Sequence, residues 1–307
     1  MNPKTVDLVR LPSGVLVPRE LLRTESEIRG FGRDIVKFAS SMAAWEWEPW
    51  QLEVIRSQRR RMLLLCSRQA GKSSCAAILA LHTALFKPRS LTVMIAPSQR
   101  QSRELFRKTQ TSWDLLLEWG KARGLPYIGP ELDEDNSLSL GFSNGSRIVA
   151  LPANATTVRG FSAVDLYIED ESAFVPEDLH EAVSPMLAVS RGRVVLLSTP
   201  HGKRGHFYKI WSADQKKLQL EARWHRVKVL ATQCPHIPAS AIQEALRDFG
   251  QSYVDQEYMC EFRDLQSQVF TEEDLLRAQS EKVYPLLESA ADVDPVAEQA
   301  DPWEQED

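Results

Sequence analysis

The chain has 307 residues, of which 43% are hydrophobic and 26% are charged, and its formal net charge is −5. This composition is typical of a folded globular protein and excludes a chain that is disordered throughout. No apolar run approaches the roughly 18 residues that a membrane span needs, and the amino terminus lacks the apolar core of a signal peptide. We therefore expect a cytoplasmic protein that has no membrane partner. The four cysteines lack the spacing of metal ligands, which excludes a zinc module.

The charges are unevenly distributed along the chain. Residues 263–307 contain 3 basic and 13 acidic residues, a net charge of −10, whereas residues 1–262 contain 34 basic and 29 acidic residues, a net charge of +5. A mildly basic body suits a polyanionic partner, which the acidic tail would either avoid or compete for. A solvated surface followed by a disordered tail explains the same numbers, and charge alone leaves both interpretations open.

Apolar segments of strand length alternate with segments of helical spacing. Strands are predicted at MLLLC, LTVMIAP, DLYIED and RGRVVLLSTP, and helices at SSCAAILALHTALF and SQRQSRELFRKTQTSWDLLLEWG. This alternation indicates an α/β fold, in which helices flank a mostly parallel central sheet. Asn144-Gly145 lies between two alternating segments and predicts an antiparallel hairpin at the sheet edge, because both turn positions require positive φ. Residues 1–45 are predicted to form an N-terminal arm, 46–265 the α/β domain and 266–307 an acidic, disordered tail.

The segment between the first predicted strand and helix has the features of a phosphate-binding loop. It contains Ser67, Arg68, Gln69, Ala70, Gly71, Lys72, Ser73 and Ser74. Gly71 lets the backbone approach a phosphate, Lys72 would reach the β- and γ-phosphates, and the Ser73 hydroxyl would bind Mg²⁺. The position of the usual first glycine is occupied by Cys66, so only the second half of the motif is matched.

A second set of candidate residues ends the strand DLYIED. Asp170 would complete the metal site, and Glu171 would orient or deprotonate the attacking water. The neighbouring Glu169 leaves a register shifted by one residue open. Asp170-Glu171 is preferred, because a water-polarising Glu directly follows the metal-binding Asp.

Three further features lie near these motifs in the predicted fold. Gln51, after Pro49, carries a carboxamide whose donor and acceptor match the edge of adenine, although a helix start explains the same residues. Ser198, Thr199 and Pro200 end another buried strand, where the hydroxyl groups could sense the γ-phosphate. His82, His180, His225 and His236 show no partner pattern and are predicted to be surface or packing residues.

Taken together, SRQAGKSS, NGSRIVALPANATTVRGFSAVDLYIEDESAFV and LLSTPHGKRGHFYKIW resemble the ATPase motor of the large terminase subunit of tailed bacteriophages. The resemblance extends over roughly residues 45–270. It implies a P-loop NTPase fold of the additional-strand, catalytic-glutamate type, with ATP and Mg²⁺ as cofactors. It places Lys72 and Ser73 at the phosphate and Mg²⁺ positions, Asp170 and Glu171 at the metal and catalytic carboxylates, and Gln51 and Gln69 near the adenine and the loop.

The resemblance also implies the remaining roles and partners. Ser198-Thr199-Pro200 matches the motif that couples hydrolysis to movement, and two arginines compete for the catalytic role: Arg68 acting in cis and Arg159 acting across a subunit boundary. The implied partners are double-stranded DNA, a small terminase subunit, a portal protein and further copies of the chain in a ring. Only 37 residues follow Phe270, fewer than the roughly 100 of a typical domain, so we expect no nuclease activity in this chain and a separately encoded or lost nuclease.

The sequence thus favours an ATP-hydrolysing motor that moves double-stranded DNA into a viral procapsid. A vestigial or non-hydrolysing DNA-binding protein of prophage origin and a helicase-like translocase are the alternatives. The presence of Lys72, Ser73, Asp170 and Glu171 argues against a decayed site, and the chain is too short for the second lobe of a helicase.

Overall fold

A computed structural model describes residues 8–10, 16–42, 46–124, 129–217 and 224–264. The predicted acidic tail at 266–307 lies outside the described residues. The described elements belong to one unit, Met1–Arg263. No helix in these ranges is both long and apolar enough to cross a membrane.

The strands and helices follow one another in a mixed order. The strands are β1 (Leu8–Arg10), β2 (Leu16–Pro18), β3 (Arg61–Cys66), β4 (Leu91–Ala96), β5 (Leu132–Asn136), β6 (Ser139–Phe142), β7 (Arg147–Pro152), β8 (Leu166–Asp170), β9 (Arg193–Ser198) and β10 (His225–Val229). The helices are α1 (Arg19–Arg33), α2 (Ile35–Met42), α3 (Pro49–Arg56), α4 (Lys72–Phe86), α5 (Gln99–Ala122), α6 (Ala155–Val158), α7 (Glu177–Ser190), α8 (Gly205–Ser212), α9 (Ala239–Phe249) and α10 (Gln251–Glu257).

Within the described ranges, eight strands form one sheet in the order β10-β3-β9-β8-β4-β7-β6-β5. From β10 to β7 every neighbouring pair is parallel, and β6 and β5 continue the sheet as antiparallel strands. This arrangement confirms the predicted α/β class with a mostly parallel sheet. Strand β9 lies between β3 and β8, which makes it the additional strand expected of this class of P-loop fold.

The central strands are buried and mostly apolar because helices cover both faces of the sheet. Residues that alternate along β3 belong to different sides of the core: Leu64 packs in one buried cluster and Leu63 in the other. Helix α4 is buried on nearly every side, in agreement with its many alanines and leucines. The sheet therefore forms a rigid platform whose strand ends can position polar side chains.

The hairpin predicted at Asn144-Gly145 is present. Strands β6 and β7 pair in antiparallel fashion, with Ser139 opposite Val149. Gly145 has a φ of +78°, but Asn144 does not have the positive φ that was predicted, because the strands are joined by the longer loop 143–146. The Asn144 Oδ1 atom accepts a hydrogen bond from the Ser146 amide at 2.9 Å, which stabilises the turn. The structure adds β5 as a further antiparallel strand outside this hairpin.

The segment predicted as an N-terminal arm contains α1 and α2. Phe31, Phe38 and Met42 from these helices are buried in the same cluster as the side chains of β3 and α4. Residues 43–45, at the predicted boundary, lie outside the described residues, and the domain boundaries stay a prediction.

Candidate active site

The candidate residues meet at the carboxyl ends of three neighbouring strands. The loop that begins at Ser67 follows β3, Asp170 ends β8, and Ser198 ends β9, which lies between the two. Parallel strands end at the same edge of the sheet, so segments roughly a hundred residues apart in sequence become neighbours in space. This edge is where ligands bind in open α/β folds.

The loop after β3 is held by contacts with the last described part of the chain. The Ser67 amide donates to the Val229 carbonyl and the Arg68 amide to the Glu257 carbonyl, both at 2.8 Å. Gln69 and Gly71 have φ values of +60° and +92°, which turn the backbone sharply before α4 begins. A left-handed conformation at a residue other than glycine is strained and is typical of functional sites. Ser67 and Ala70 of the loop are fully buried, and so is Cys66, which occupies the position of the usual first glycine.

Gln51 lies directly against the loop. A Cβ atom at position 71 would stand 2.7 Å from Gln51 Nε2, so glycine is needed here for space as well as for its backbone conformation. The Glu48 amide donates to Gln51 Oε1 at 3.0 Å and fixes the orientation of the carboxamide.

These residues border a cavity of about 570 Å³ beside the loop. The cavity is lined by Glu46, Trp47, Glu48, Pro49, Gln51, Gly71, Ser74, Pro235 and His236. It contains the Gln51 carboxamide and lies next to the start of α4, so its position suits the base of a nucleotide whose phosphates lie in the loop.

Two side-chain contacts join α4 to the end of β8. Lys72 Nζ lies 2.9 Å from Glu171 Oε1, and the Ser73 hydroxyl donates to Asp170 Oδ2 at 3.0 Å. Burial lowers the pKa of Lys72, but the attraction of Glu171 and Asp170 is stronger and the net effect raises it. Burial raises the pKa of Asp170, although Lys72 opposes this shift. The Ser73 hydroxyl and the Asp170 carboxylate are hard oxygen ligands that fit Mg²⁺.

Glu169 points to the other face of the sheet, which favours the Asp170-Glu171 register over the shifted one. It is fully buried, and its two carboxylate oxygens accept hydrogen bonds from Tyr167 and Ser172, each at 2.5 Å. Burial raises its pKa to about 7. Because side chains alternate along a strand, Glu169 and Asp170 cannot face the same site.

The residue after β8 connects the site to β9. Glu171 has a φ of +52° and its amide donates to Asp170 Oδ1 at 3.0 Å. Two residues later, the Ala173 amide donates to Ser198 Oγ at 3.1 Å. Thr199 and Pro200 are buried, and Thr199 lines a cavity that also contains Glu171. Ser198 and Thr199 are thus in a position to respond to changes at Glu171.

The two candidate arginines have different surroundings. Arg68 lines the cavity that contains Glu171 and Thr199, and its Nη1 atom lies 3.6 Å from Glu257 Oε2. Arg159 is exposed after α6. Within the described ranges, no hydrogen bond or ion pair joins its side chain to Lys72 or to the carboxylates of the site.

Sequence reasoning missed His236 and Glu257 as neighbours of the loop. His236 Nε2 contacts the Gln69 carbonyl at 2.9 Å, and its Nδ1 contacts Glu48 Oε1 at 2.8 Å. A single histidine or glutamate carries no pattern, and these contacts join residues 167 and 188 positions apart. Only the folded chain reveals them.

The chain is similar to known proteins in its sequence and in its fold. The chain is 29% identical over 167 residues to the terminase large subunit of Thermus virus P23-45, covering 50% of this chain and 33% of that protein. It therefore spans about a third of the length of this relative. Among solved structures it is similar to the large terminase ATPase domain of Thermus phage P74-26, with a TM-score of 0.60, 21% identity, and coverage of 72% of this chain and 96% of that one.

A further structural relative is the large terminase of a thermophilic bacteriophage in complex with ATP-γ-S. It has a TM-score of 0.51 and 14% identity, and covers 71% of this chain and 53% of that one. Both structural matches show a shared fold. The model of the family "Terminase large subunit, T4likevirus-type, N-terminal" matches residues 63–277. Because this match covers more than half of the chain, the protein belongs to the terminase large subunit family, through its N-terminal region.

Proposed function

We propose that this chain hydrolyses ATP and that the energy moves double-stranded DNA during the packaging of a viral genome. The observation that carries the proposal is the convergence of Lys72, Ser73, Asp170 and Glu171 at one edge of the sheet. Relatives that are terminase large subunits, and a structural relative that binds ATP-γ-S, support the same function.

The base and phosphates of ATP would bind to different parts of the site. The Gln51 carboxamide would hydrogen-bond the edge of the adenine, and the residues from Ser67 to Ser74 would surround the phosphates with backbone amides. Lys72 would bind the β- and γ-phosphates. A Mg²⁺ ion, which neutralises phosphate charge when bound, would be held by Ser73 and Asp170.

Hydrolysis then depends on Glu171. Its carboxylate would accept the proton of the water that attacks the γ-phosphorus. This carboxylate lies 2.9 Å from Lys72 Nζ, so a γ-phosphate bound by Lys72 would compete with Glu171 for the same ammonium group. Arg68 or, from a neighbouring subunit, Arg159 would neutralise charge in the transition state.

The loss of the γ-phosphate would be transmitted through β9. Ser198 accepts the Ala173 amide in the turn that follows Glu171, so a shift of that turn pulls on the end of the strand. The chain continues from Ser198, Thr199 and Pro200 into α8, so α8 is the element that would move in response to hydrolysis.

DNA would bind through exposed arginines. Arg100, Arg103 and Arg107 are exposed and are spaced along one face of the first half of α5. Contacts of this kind are made to phosphates, so binding should be independent of sequence and should weaken steeply as salt increases. A salt titration of DNA affinity, repeated with Arg103→Ala, measures this property. A strong preference for one sequence would contradict it.

We also propose the partners that the family implies. They are further copies of the chain in a ring, a small terminase subunit and a portal protein, all acting in the cytoplasm of a bacterial host.

The test of the proposed function is ATP hydrolysis with and without double-stranded DNA. Lys72→Ala should abolish hydrolysis and weaken nucleotide binding, and Glu171→Gln should lower turnover by about 10² to 10⁴. Lys121→Ala and Glu118→Gln, both on the exposed end of α5, are the matched controls and should behave like the wild type. A wild-type chain that binds nucleotide but never hydrolyses it would favour the vestigial alternative.

A further inference from the structure

The imidazole of His236 bridges the nucleotide loop and the residue that precedes α3. Its Nε2 atom lies 2.9 Å from the carbonyl oxygen of Gln69, and its Nδ1 atom lies 2.8 Å from Oε1 of Glu48. Gln69 is the strained residue of the loop, with a φ of +60°. Glu48 precedes α3 and, through its amide, holds Gln51 in place.

The chemistry of the two partners determines the charge of His236. A carbonyl oxygen can only accept a hydrogen bond, and an ionised carboxylate can only accept as well. Only the imidazolium, which carries a proton on both nitrogens, can donate to both of these acceptors at once.

We propose that the cationic form of His236 is a positioning residue for the nucleotide: it fixes the Gln69 turn against the start of α3, so that the base cavity and the phosphate loop keep one relative geometry. This inference rests on the proposed nucleotide site. His236 also lines the cavity next to Gln51 and Gly71, so the loss of one of its bonds changes the width of that cavity.

The charged surroundings of His236 favour this state. Glu48 contacts the ring, Glu46 lines the same cavity, and Arg68 on the loop is turned towards Glu257 instead. On its own segment the nearest titratable group is the thiol of Cys234, whose pKa burial raises to about 11, so it stays neutral. The Gln69 carbonyl and the Glu48 carboxylate together raise the pKa of His236 above its ordinary value of 6.5, against a smaller effect of desolvation.

The sign of the pH dependence follows. Below the pKa of His236, the ring can donate to both Gln69 and Glu48. As the pH rises through this pKa, the ring loses one proton and therefore one of the two hydrogen bonds. Nucleotide should then bind more tightly at about pH 6 than at about pH 9. The ring is half exposed, so we expect a modest change of about fivefold in affinity. Turnover at saturating ATP should not follow the same titration, because His236 does not contact the reacting atoms.

The experiment measures the binding of methylanthraniloyl-ADP with Mg²⁺ to the full chain across this pH range. His236→Arg keeps a permanent cation with several donors, and its affinity should stay nearly constant. Glu48→Gln keeps an acceptor but removes the charge, and it should shift the midpoint of the profile to lower pH. His225→Asn is the matched control: His225 Nε2 lies 3.2 Å from Glu53 Oε1, away from the loop, and this variant should follow the wild type.

An NMR titration of the His236 ring provides a readout that needs no nucleotide. The proposal is overturned if His236 titrates at or below its ordinary pKa, if the wild-type profile is flat, or if His236→Arg retains the wild-type profile. A chain that binds the probe with the expected profile but does not hydrolyse ATP refutes the proposed motor and leaves this inference standing. A chain that binds no probe at any pH refutes both the inference and the nucleotide site.

Discussion

Replacing Glu171 by glutamine tests whether the Glu171 carboxylate and a bound phosphate would compete for Lys72. Lys72 Nζ and Glu171 Oε1 are 2.9 Å apart, so the ammonium that would bind phosphate is held by the carboxylate that would accept a proton from water. ATP must compete with Glu171 for Lys72. The Gln variant removes this competitor, and we expect it to bind Mg-ATP more tightly while it hydrolyses ATP far more slowly.

The size of the effect follows from the exposure of the pair. The Lys72 and Glu171 side chains are 9% and 25% exposed, which places the interaction between a surface ion pair of about 0.2–1 kcal/mol and a well-buried charged hydrogen bond of about 1.5–3 kcal/mol. A value of about 1–2 kcal/mol corresponds to roughly 5- to 30-fold tighter binding. Loss of the proton acceptor should lower kcat by about 10² to 10⁴.

The assay compares the Kd of methylanthraniloyl-ATP and the kcat of ATP hydrolysis for the wild type and Glu171→Gln. The exposed Glu118→Gln variant controls for the loss of one negative charge, and a denaturant titration shows that the fold is retained. Weaker nucleotide binding by Glu171→Gln would refute the competition between carboxylate and phosphate. Unchanged turnover would refute the assignment of Glu171 as the base.

The remaining predictions concern the loop, the buried acid and the second arginine. Gly71→Ala should lower the free energy of unfolding by about 1–2 kcal/mol, because position 71 has a positive φ. It should also weaken nucleotide binding, because the new Cβ displaces Gln51. A loss of stability without a loss of affinity would contradict this. The free energy of unfolding of the wild type should decline by at most about 3 kcal/mol as the pH rises from about 4.5 to about 7, because folded Glu169 retains a proton that the unfolded chain releases. Glu169→Gln should abolish this decline. Parallel stability curves for the two proteins would disprove it. If Arg159 acts from a neighbouring subunit, Arg159→Ala chains should regain ATPase activity when mixed with Lys72→Ala chains, because one chain supplies an intact loop and the other an intact arginine. A mixture that forms mixed oligomers without recovery would exclude this role of Arg159 and favour Arg68.

The central strands could be predicted because burial on both faces leaves a continuous apolar signal. Strands β5 and β10 carried no such signal: LDEDN and HRVKV are short, rich in charged residues, and lie at the two edges of the sheet. Edge strands have a solvated side and so lack the pattern of a buried strand. The position of β9 between β3 and β8 was implied by the resemblance and not by the strand patterns themselves, because strand order depends on how the crossovers pack.

Only some residues of the candidate site could be predicted from the sequence. Gly71, Lys72, Ser73 and Asp170 were predictable because each lies in a short motif at the end of a strand. The contact between His236 and Gln69 was not predictable, because it depends on the path of the chain after β10. The orientation of Glu169 required only the alternation of side chains on β8, but it became certain once Tyr167 and Ser172 were seen to bind its carboxylate.

The support of the loop has a consequence for how the protein is made. Ser67, Arg68 and Gln69 receive their contacts from Val229, Glu257 and His236 respectively. A ribosome completes the motif long before it adds these three partners. The nascent chain therefore contains the sequence of the loop before the residues that hold the loop in place, and we expect it to bind nucleotide only after residue 257 has emerged and α9 and α10 have packed.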